Sequence, residues 1–162
     1  MTKLRILSNY RKEKKLPSNR LAHTAWECKY HVVWVPKYRR KVIYGNLRKE
    51  IGIILRKLCE YKGIEIIEAK ACSDHIHMCL SIPPKYAVAN IIGYLKGKST
   101  MIIFEKFSKL RSNFKGNSFW ARGYYVNTVG LNEQVVKDYI KNQEIDDMAN
   151  DKYEPPDKSN LF

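Results

Sequence analysis

Two of the four histidines in this chain stand two residues apart, in the run Asp74-His75-Ile76-His77-Met78-Cys79-Leu80. In an extended strand, side chains at i and i+2 leave the same face. His75 and His77 then project side by side, and Ile76 turns the other way into a core. Two imidazoles held by a rigid strand make half of a divalent-metal site. The same spacing also serves packing or hydrogen bonding, and the pair alone does not separate the two. Further along, Tyr139 and Gln143 are four residues apart, which on a helix points a phenol and an amide the same way. A phenol, with a pKa of about 10, is a poor nucleophile at neutral pH. A nearby divalent metal polarises the electrophile and eases loss of the phenolic proton. Attack of Tyr139 on a phosphodiester would make a phosphotyrosine bond and release a hydroxyl. Phenoxide leaves more readily than an alkoxide, so a DNA 3′-hydroxyl can reverse the bond. That chemistry suits breakage and rejoining rather than hydrolysis. With eleven tyrosines in the chain, a helical Tyr139 that only packs is the competing account.

The cysteines leave one alternative open. Cys28, Cys59, Cys72 and Cys79 show no Cys-x-x-Cys spacing and read as reduced, mostly buried thiols. On a strand, Cys79 shares the face of His75 and His77, with Cys72 just upstream, so a Cys/His zinc site competes with Cys79 as a small core residue.

The elements that must position these groups follow from periodicity. The 162 residues suit one domain, and 44% hydrophobic residues make it globular rather than disordered. Residues 28–36 alternate and are rich in Val, Trp and Tyr, which predicts a strand ended by Pro36. Leu47, Ile51, Ile54, Leu55 and Leu58 give a helix over 47–61, stopped at Gly63. Strands follow over 64–71 and 75–82, joined by a turn at Ser73-Asp74 and ended by Pro83-Pro84. A long helix is expected over 86–109, a polar loop over 111–119, a fourth strand over 124–129, and a last helix from Asn132 to about Ile145. Gly97-Lys98-Ser99 is no phosphate-binding loop, because Gly93 lies one residue too close and the segment falls within a helix. The order β-α-β-β-α-β plus a helix is the α+β, ferredoxin-like split βαβ plan shared with RRM modules: a central antiparallel sheet with a C-terminal helix carrying the tyrosine. Such a fold does not by itself give a function.

Charge points to the partner. Thirty Lys and Arg against sixteen Asp and Glu give a formal charge of +14, which favours a polyanion, most simply nucleic acid. No apolar run approaches the ~18 residues of a membrane span, and the charged N-terminus does not resemble a signal peptide. Residues 1–20 read as a basic arm and residues 147–162 as a flexible acidic tail. Lys37-Tyr38-Arg39-Arg40-Lys41 mixes cations with an aromatic ring, a combination that grips phosphate and stacks on a base. Lys96 and Lys98 add to a basic face.

Taken together, His75-Ile76-His77, Ile82-Pro83-Pro84-Lys85, Gly93-Tyr94-Leu95-Lys96-Gly97-Lys98-Ser99, the run from Phe119-Trp120-Ala121-Arg122 to Gly130, and Tyr139-Ile140-Lys141-Asn142-Gln143 resemble the single-tyrosine HUH transposases of the insertion sequence 200/605 group. Trp34-Val35-Pro36-Lys37-Tyr38-Arg39-Arg40-Lys41 fits as well. The resemblance spans roughly residues 22–145 and makes 21–146 the catalytic domain. It implies that His75 and His77 hold a divalent metal, Mg2+ or Mn2+, with Gln143 as a further ligand. Tyr139 becomes the nucleophile that joins the 5′ end of a cleaved single strand. It also implies a cytoplasmic, bacterial or archaeal homodimer with a merged sheet, acting on single-stranded DNA with imperfect-hairpin ends. Two imidazoles and an amide oxygen form a mixed site with room for phosphate oxygens, in which Mn2+ is expected to serve at least as well as Mg2+. Lys37, Tyr38, Arg39, Arg40, Lys41, Lys96, Lys98 and Arg122 are then the expected DNA contacts. Two other readings stand beside this one. In one, the chain is a non-catalytic RRM-like binding module. In the other, it is a domesticated relative that processes repeats in its host genome.

Overall fold

Alternating side chains drive the formation of a central sheet that buries one face against two long helices. The computed structural model describes residues 20–21, 24–130 and 133–150; for 20, 21, 25 and 143–150 it describes the backbone alone. The basic arm and most of the acidic tail lie outside these residues. The described chain opens with two two-residue strands, β1 (Arg20–Leu21) and β2 (Thr24–Ala25), which pair as a small hairpin. Then come β3 (Lys29–Trp34), α1 (Gly45–Tyr61), β4 (Glu65–Ala71), β5 (Ile76–Ser81), α2 (Val88–Lys106), the one-turn α3 (Ser108–Arg111), β6 (Tyr125–Val129) and α4 (Glu133–Asn150). The main sheet has the order β4-β5-β3-β6, antiparallel at every step. This is the expected ferredoxin-like α+β plan.

The two faces are covered differently. Val32 and Trp34 of β3 and Ile76, Met78 and Leu80 of β5 pack against Leu47, Ile51, Ile54 and Leu55 of α1 and Ile91, Ile92, Leu95 and Ile103 of α2. The α1 positions follow the i, i+4, i+7, i+8 stripe of a helix that buries one side. The helix ends in a Schellman motif: Gly63 takes φ 66°, its N–H donates to the Glu60 carbonyl at 3.0 Å, and the Ile64 N–H donates to the Cys59 carbonyl at 2.9 Å. On the other face lies a smaller cluster of Cys79, Val129 and Ile140, backed by Ile67 and Val136, through which α4 crosses the sheet.

Two boundaries differ from expectation. The helix expected over 86–109 breaks at Phe107 (φ −122°, ψ 63°), whose ring packs toward the core and separates α2 from α3. The last helix runs to Asn150 rather than about Ile145, because acidic residues change polarity without stopping a helix and no Pro or Gly intervenes before Pro155. Gly97, Lys98 and Ser99 lie inside α2, and Ser99 Oγ accepts a 2.8 Å hydrogen bond from Trp120 Nε1. All four cysteines are unpaired, with Cys59, Cys72 and Cys79 buried. Among the described residues no helix is long and apolar enough to cross a membrane.

Candidate active site

The site begins at the β4–β5 turn. The Cys72 N–H donates to the His75 carbonyl at 2.9 Å, and the Ser73 carbonyl accepts from Val42 (3.1 Å) and Ile43 (3.0 Å). The turn is thus fastened at its base and to the segment that follows β3. His75 stands just before β5 and His77 is its second residue; their ring centroids are 4.6 Å apart with planes at 78°. A third histidine joins them. In the β3–β5 register His31 is opposite Cys79 and Val33 opposite His77, so His31 is the diagonal neighbour of His77 on the same face. His31 Nε2 and His77 Nδ1 are 3.1 Å apart. The ring planes are 6° from parallel and the centroids 5.3 Å apart. That separation exceeds the N···N distance by about two ring radii, so the two imidazoles lie side by side in an in-plane hydrogen bond rather than face to face.

No spacing motif singles out His31. The alternation Lys29-Tyr30-His31-Val32-Val33-Trp34 does place it opposite Val32 and Trp34. Carrying the ferredoxin-like strand order down to single residues would have set it beside the β5 pair.

Electrostatics divide the three rings. Burial disfavours the charged form of His75, yet hydrogen bonds to Asp74 and Cys72 override it and raise its pKa to about 10. The Asp74 Oδ1–His75 Nδ1 distance is 2.6 Å, and this hydrogen bond holds the Asp74 carboxyl below its usual range, with Arg39 contributing. His77 is pushed down to about 4, first by burial and then by the charges of His75 and His31. Burial also lowers His31. The shifts set the rings apart: His75 keeps a proton more readily than His77 or His31, and a metal ligand must give that proton up.

Helix α4 brings Tyr139 to the same face. Its ring centroid lies 6.0 Å from that of His77 and 6.1 Å from that of His31, and 52% of the residue stays exposed. Its neighbour Ile140 is fully buried and anchors the helix. Glu133 adds a second anchor. It pairs with Lys29 of β3 and, at 2.6 Å, with Lys137, and these bonds hold its carboxyl below the usual range. The Gln143 side chain lies outside the described residues. Cys79 belongs to the apolar cluster under α4, where burial pushes its thiol up to about 11, the reverse of what a thiolate ligand needs. Among the described residues no three His, Cys, Asp or Glu side chains form a group that could hold a metal.

The basic residues fall into two adjoining segments. Lys37–Arg39 form a 3-10 turn, with Tyr38 (φ 65°) and Arg39 (φ 50°) both in the left-handed region. Tyr38 is 57% exposed, with the Lys37 ammonium 5.6 Å and the Arg40 guanidinium 5.3 Å from its ring centroid. Lys37 donates to the Lys115 carbonyl and Arg40 to the Asn113 carbonyl, the latter at 2.8 Å, so the turn is pinned to the 111–119 loop. Lys41 is exposed and continues toward the Ser73 turn. The second segment sits across a Pro36–Trp120 bridge, reinforced by Ala121 N–H to the Val35 carbonyl at 2.9 Å. Arg122 and Lys98 are exposed. Lys96 is turned inward, donating to the carbonyls of Ala121 (2.7 Å) and Gly123 (2.6 Å). Its ammonium braces this segment, and burial lowers its pKa.

Known proteins resemble this chain in sequence and fold. The chain is 55% identical to the transposase of insertion sequence element IS200 from Salmonella typhimurium over 123 residues, which cover 76% of this chain and 81% of the relative. It is 30% identical to the ISDra2 transposase TnpA of Deinococcus radiodurans over 119 residues, 73% of this chain and 85% of the relative. A crystal structure of a protein assigned as a transposase from Deinococcus radiodurans R1 superposes with a TM-score of 0.65 at 26% identity, covering 76% of this chain and 96% of that one. The REP-associated tyrosine transposase bound to a REP hairpin superposes with a TM-score of 0.58 at 11% identity, covering 79% of this chain and 74% of that one, a likeness of fold alone. The family model for IS200-like transposases matches residues 24–143, a span holding all three histidines and Tyr139, and the chain belongs to that family.

Proposed function

We propose that this transposase cleaves and rejoins single-stranded DNA through a covalent bond between Tyr139 and a 5′-phosphate. The observation that carries this reading is the meeting of an exposed Tyr139 with His77 and His31 on one sheet face, 6.0 and 6.1 Å from them by ring centroids. In the forward step Tyr139 Oη loses its proton and attacks phosphorus. The bond to the 3′-oxygen breaks, and that oxygen takes up a proton and leaves as a free hydroxyl. Rejoining is the reverse: a 3′-hydroxyl attacks and the phenol departs.

The donor chemistry fits a divalent cation. His75 and His77 are adjacent imidazoles on one face, each engaged through Nδ1, by Asp74 and His31 respectively. Such partners commonly orient the rings of metal-ligating histidines. His75 and His77 would hold Mg2+ or Mn2+, and Gln143 on the Tyr139 helix would complete the set. When bound, the ion would polarise the phosphate and favour the phenolate.

The substrate reading rests on charge and kinship. Lys37, Tyr38, Arg39, Arg40 and Lys41 flank the Ser73 turn and would grip the DNA backbone and stack a base beside the histidines, with Lys98 and Arg122 extending the path. One structural neighbour is bound to a REP hairpin, which favours hairpin ends as the recognised feature. β6 is one of the two edge strands of the sheet, and its Tyr125 and Val126 are 55% and 41% exposed, an apolar surface suited to pairing with a second copy. We place the reaction in the cytoplasm of a bacterium or archaeon.

The test mixes purified protein, Mn2+ or Mg2+ and labelled single-stranded DNA from the flanks of its own gene, followed by a denaturing gel. A metal-dependent protein–DNA adduct that disappears with Tyr139→Phe supports the proposal. Binding without an adduct, on both strands and across several oligonucleotides, would instead make the chain a binding module.

A further inference from the structure

The contact between His31 and His77 carries more than proximity. We propose that His31 is a positioning residue: it accepts a hydrogen bond from His77 Nδ1–H and so fixes the tautomer in which His77 presents Nε2 to the metal. The inference rests on the reading of His75 and His77 as metal ligands.

A neutral imidazole has one lone pair and one N–H. If it ligates a metal through one nitrogen, its proton sits on the other. His77 Nδ1 is occupied, 3.1 Å from His31 Nε2 in a common plane. Ligation must therefore run through Nε2, the proton must reside on Nδ1, and the group facing it must accept. His31 Nε2 can do this, as a carboxylate or carbonyl does elsewhere. The opposite assignment, His31 donating, would place the His77 proton on Nε2 and block the metal.

The placement is rigid. His31 is 9% exposed and His77 5%, and both sit in the middle strands of the sheet. Asp74 does the same for His75, engaging Nδ1 at 2.6 Å. The two ligands are thus braced by unlike partners, an anionic carboxylate for one and a neutral ring for the other. The neutral brace holds orientation without adding a charge beneath the site.

The test compares wild type with His31→Phe and His31→Gln in the full chain, reading Mn2+ affinity by calorimetry and the His77 tautomer by 15N NMR, with circular dichroism to verify folding. His31→Phe keeps the ring's bulk but offers no acceptor; the Gln side-chain oxygen can accept. The expected result is Nδ1–H on His77 in wild type, a loss of about 10- to 100-fold in Mn2+ affinity with His31→Phe, and recovery of most of it with His31→Gln. Equal losses in both variants, no loss in either, or a His77 proton found on Nε2 in wild type would overturn the inference. The metal reading fails separately: wild-type protein whose Mn2+ binding is unaffected by His75→Ala and His77→Ala removes the premise and the inference with it.

Discussion

The two faces of β5 share one backbone and do opposite work. All six residues of the strand are buried. On one side Ile76, Met78 and Leu80 meet two long helices in a large apolar cluster. On the other, His77 and Cys79 face α4 beside a small cluster of three buried positions, with histidines and a tyrosine at its edge. Packing is concentrated on the first face and the candidate site lies on the second. The strand can hold polar groups rigidly because its other side is packed like any interior. The site in turn need not be strong enough to hold the fold together.

The sharpest way to break this division is Tyr139→Phe. Tyr139 is half exposed, so the melting temperature should stay within the shift of a surface substitution, about 0.5 kcal/mol. Adduct formation should fall by at least about 10^3-fold. A comparable loss of stability would place Tyr139 in the core instead. Next in size is Leu80→Ala on the packed face, expected to cost about 2–5 kcal/mol in urea unfolding, while protein that remains folded still binds Mn2+. Ile140→Ala removes a buried side chain of similar size, but its cost is capped by the docking energy of α4. Hydrogen exchange should speed up in α4 and change little in β5; uniform acceleration would mean that the two faces unfold as one.

Smaller still is a pH effect on the α4 side. Glu133 has a folded-state pKa depressed by Lys137 and Lys29. Its contribution is therefore present above its unfolded value near 4.5 and is lost as pH falls through the lower folded value. Wild-type stability should drop over that acid range more than that of Glu133→Gln. Parallel curves would show the clamp to be idle. The smallest effect is expected at Lys106–Glu50, a 2.6 Å pair joining α2 to α1 at the surface. Lys106→Ala should cost no more than about 1 kcal/mol and leave adduct formation unchanged.

Much of this division was legible in the sequence. The alternation around Ile76, Met78 and Leu80 and the helical spacing of Leu47, Ile51, Ile54 and Leu55 report directly on burial, and the order of the elements gives the ferredoxin-like plan. His75, His77 and Tyr139 could be singled out because their spacing is local, and the fold brings their rings together. His31 could not, because its place beside His77 depends on a strand register, a relation between segments 46 residues apart that no local pattern carries. Lys96 shows another side of the same limit. Charge placed it on a basic face, and only the fold reveals that its ammonium also donates to two carbonyls of the 121–123 segment. Cys79 shared the histidine face as expected, and only the approach of Val129 and Ile140 decides that it sits among apolar neighbours.

Tyr38 and Arg39 are consecutive non-glycine residues held at positive φ. Such conformations cost about 1–3 kcal/mol each, and glycine adopts them freely. A directed-evolution screen that rewards heat resistance alone should therefore drift toward glycine at these two positions. It would recover a tougher protein lacking the exposed ring and its flanking guanidinium, so any campaign to harden this enzyme needs a DNA-dependent selection running beside the thermal one.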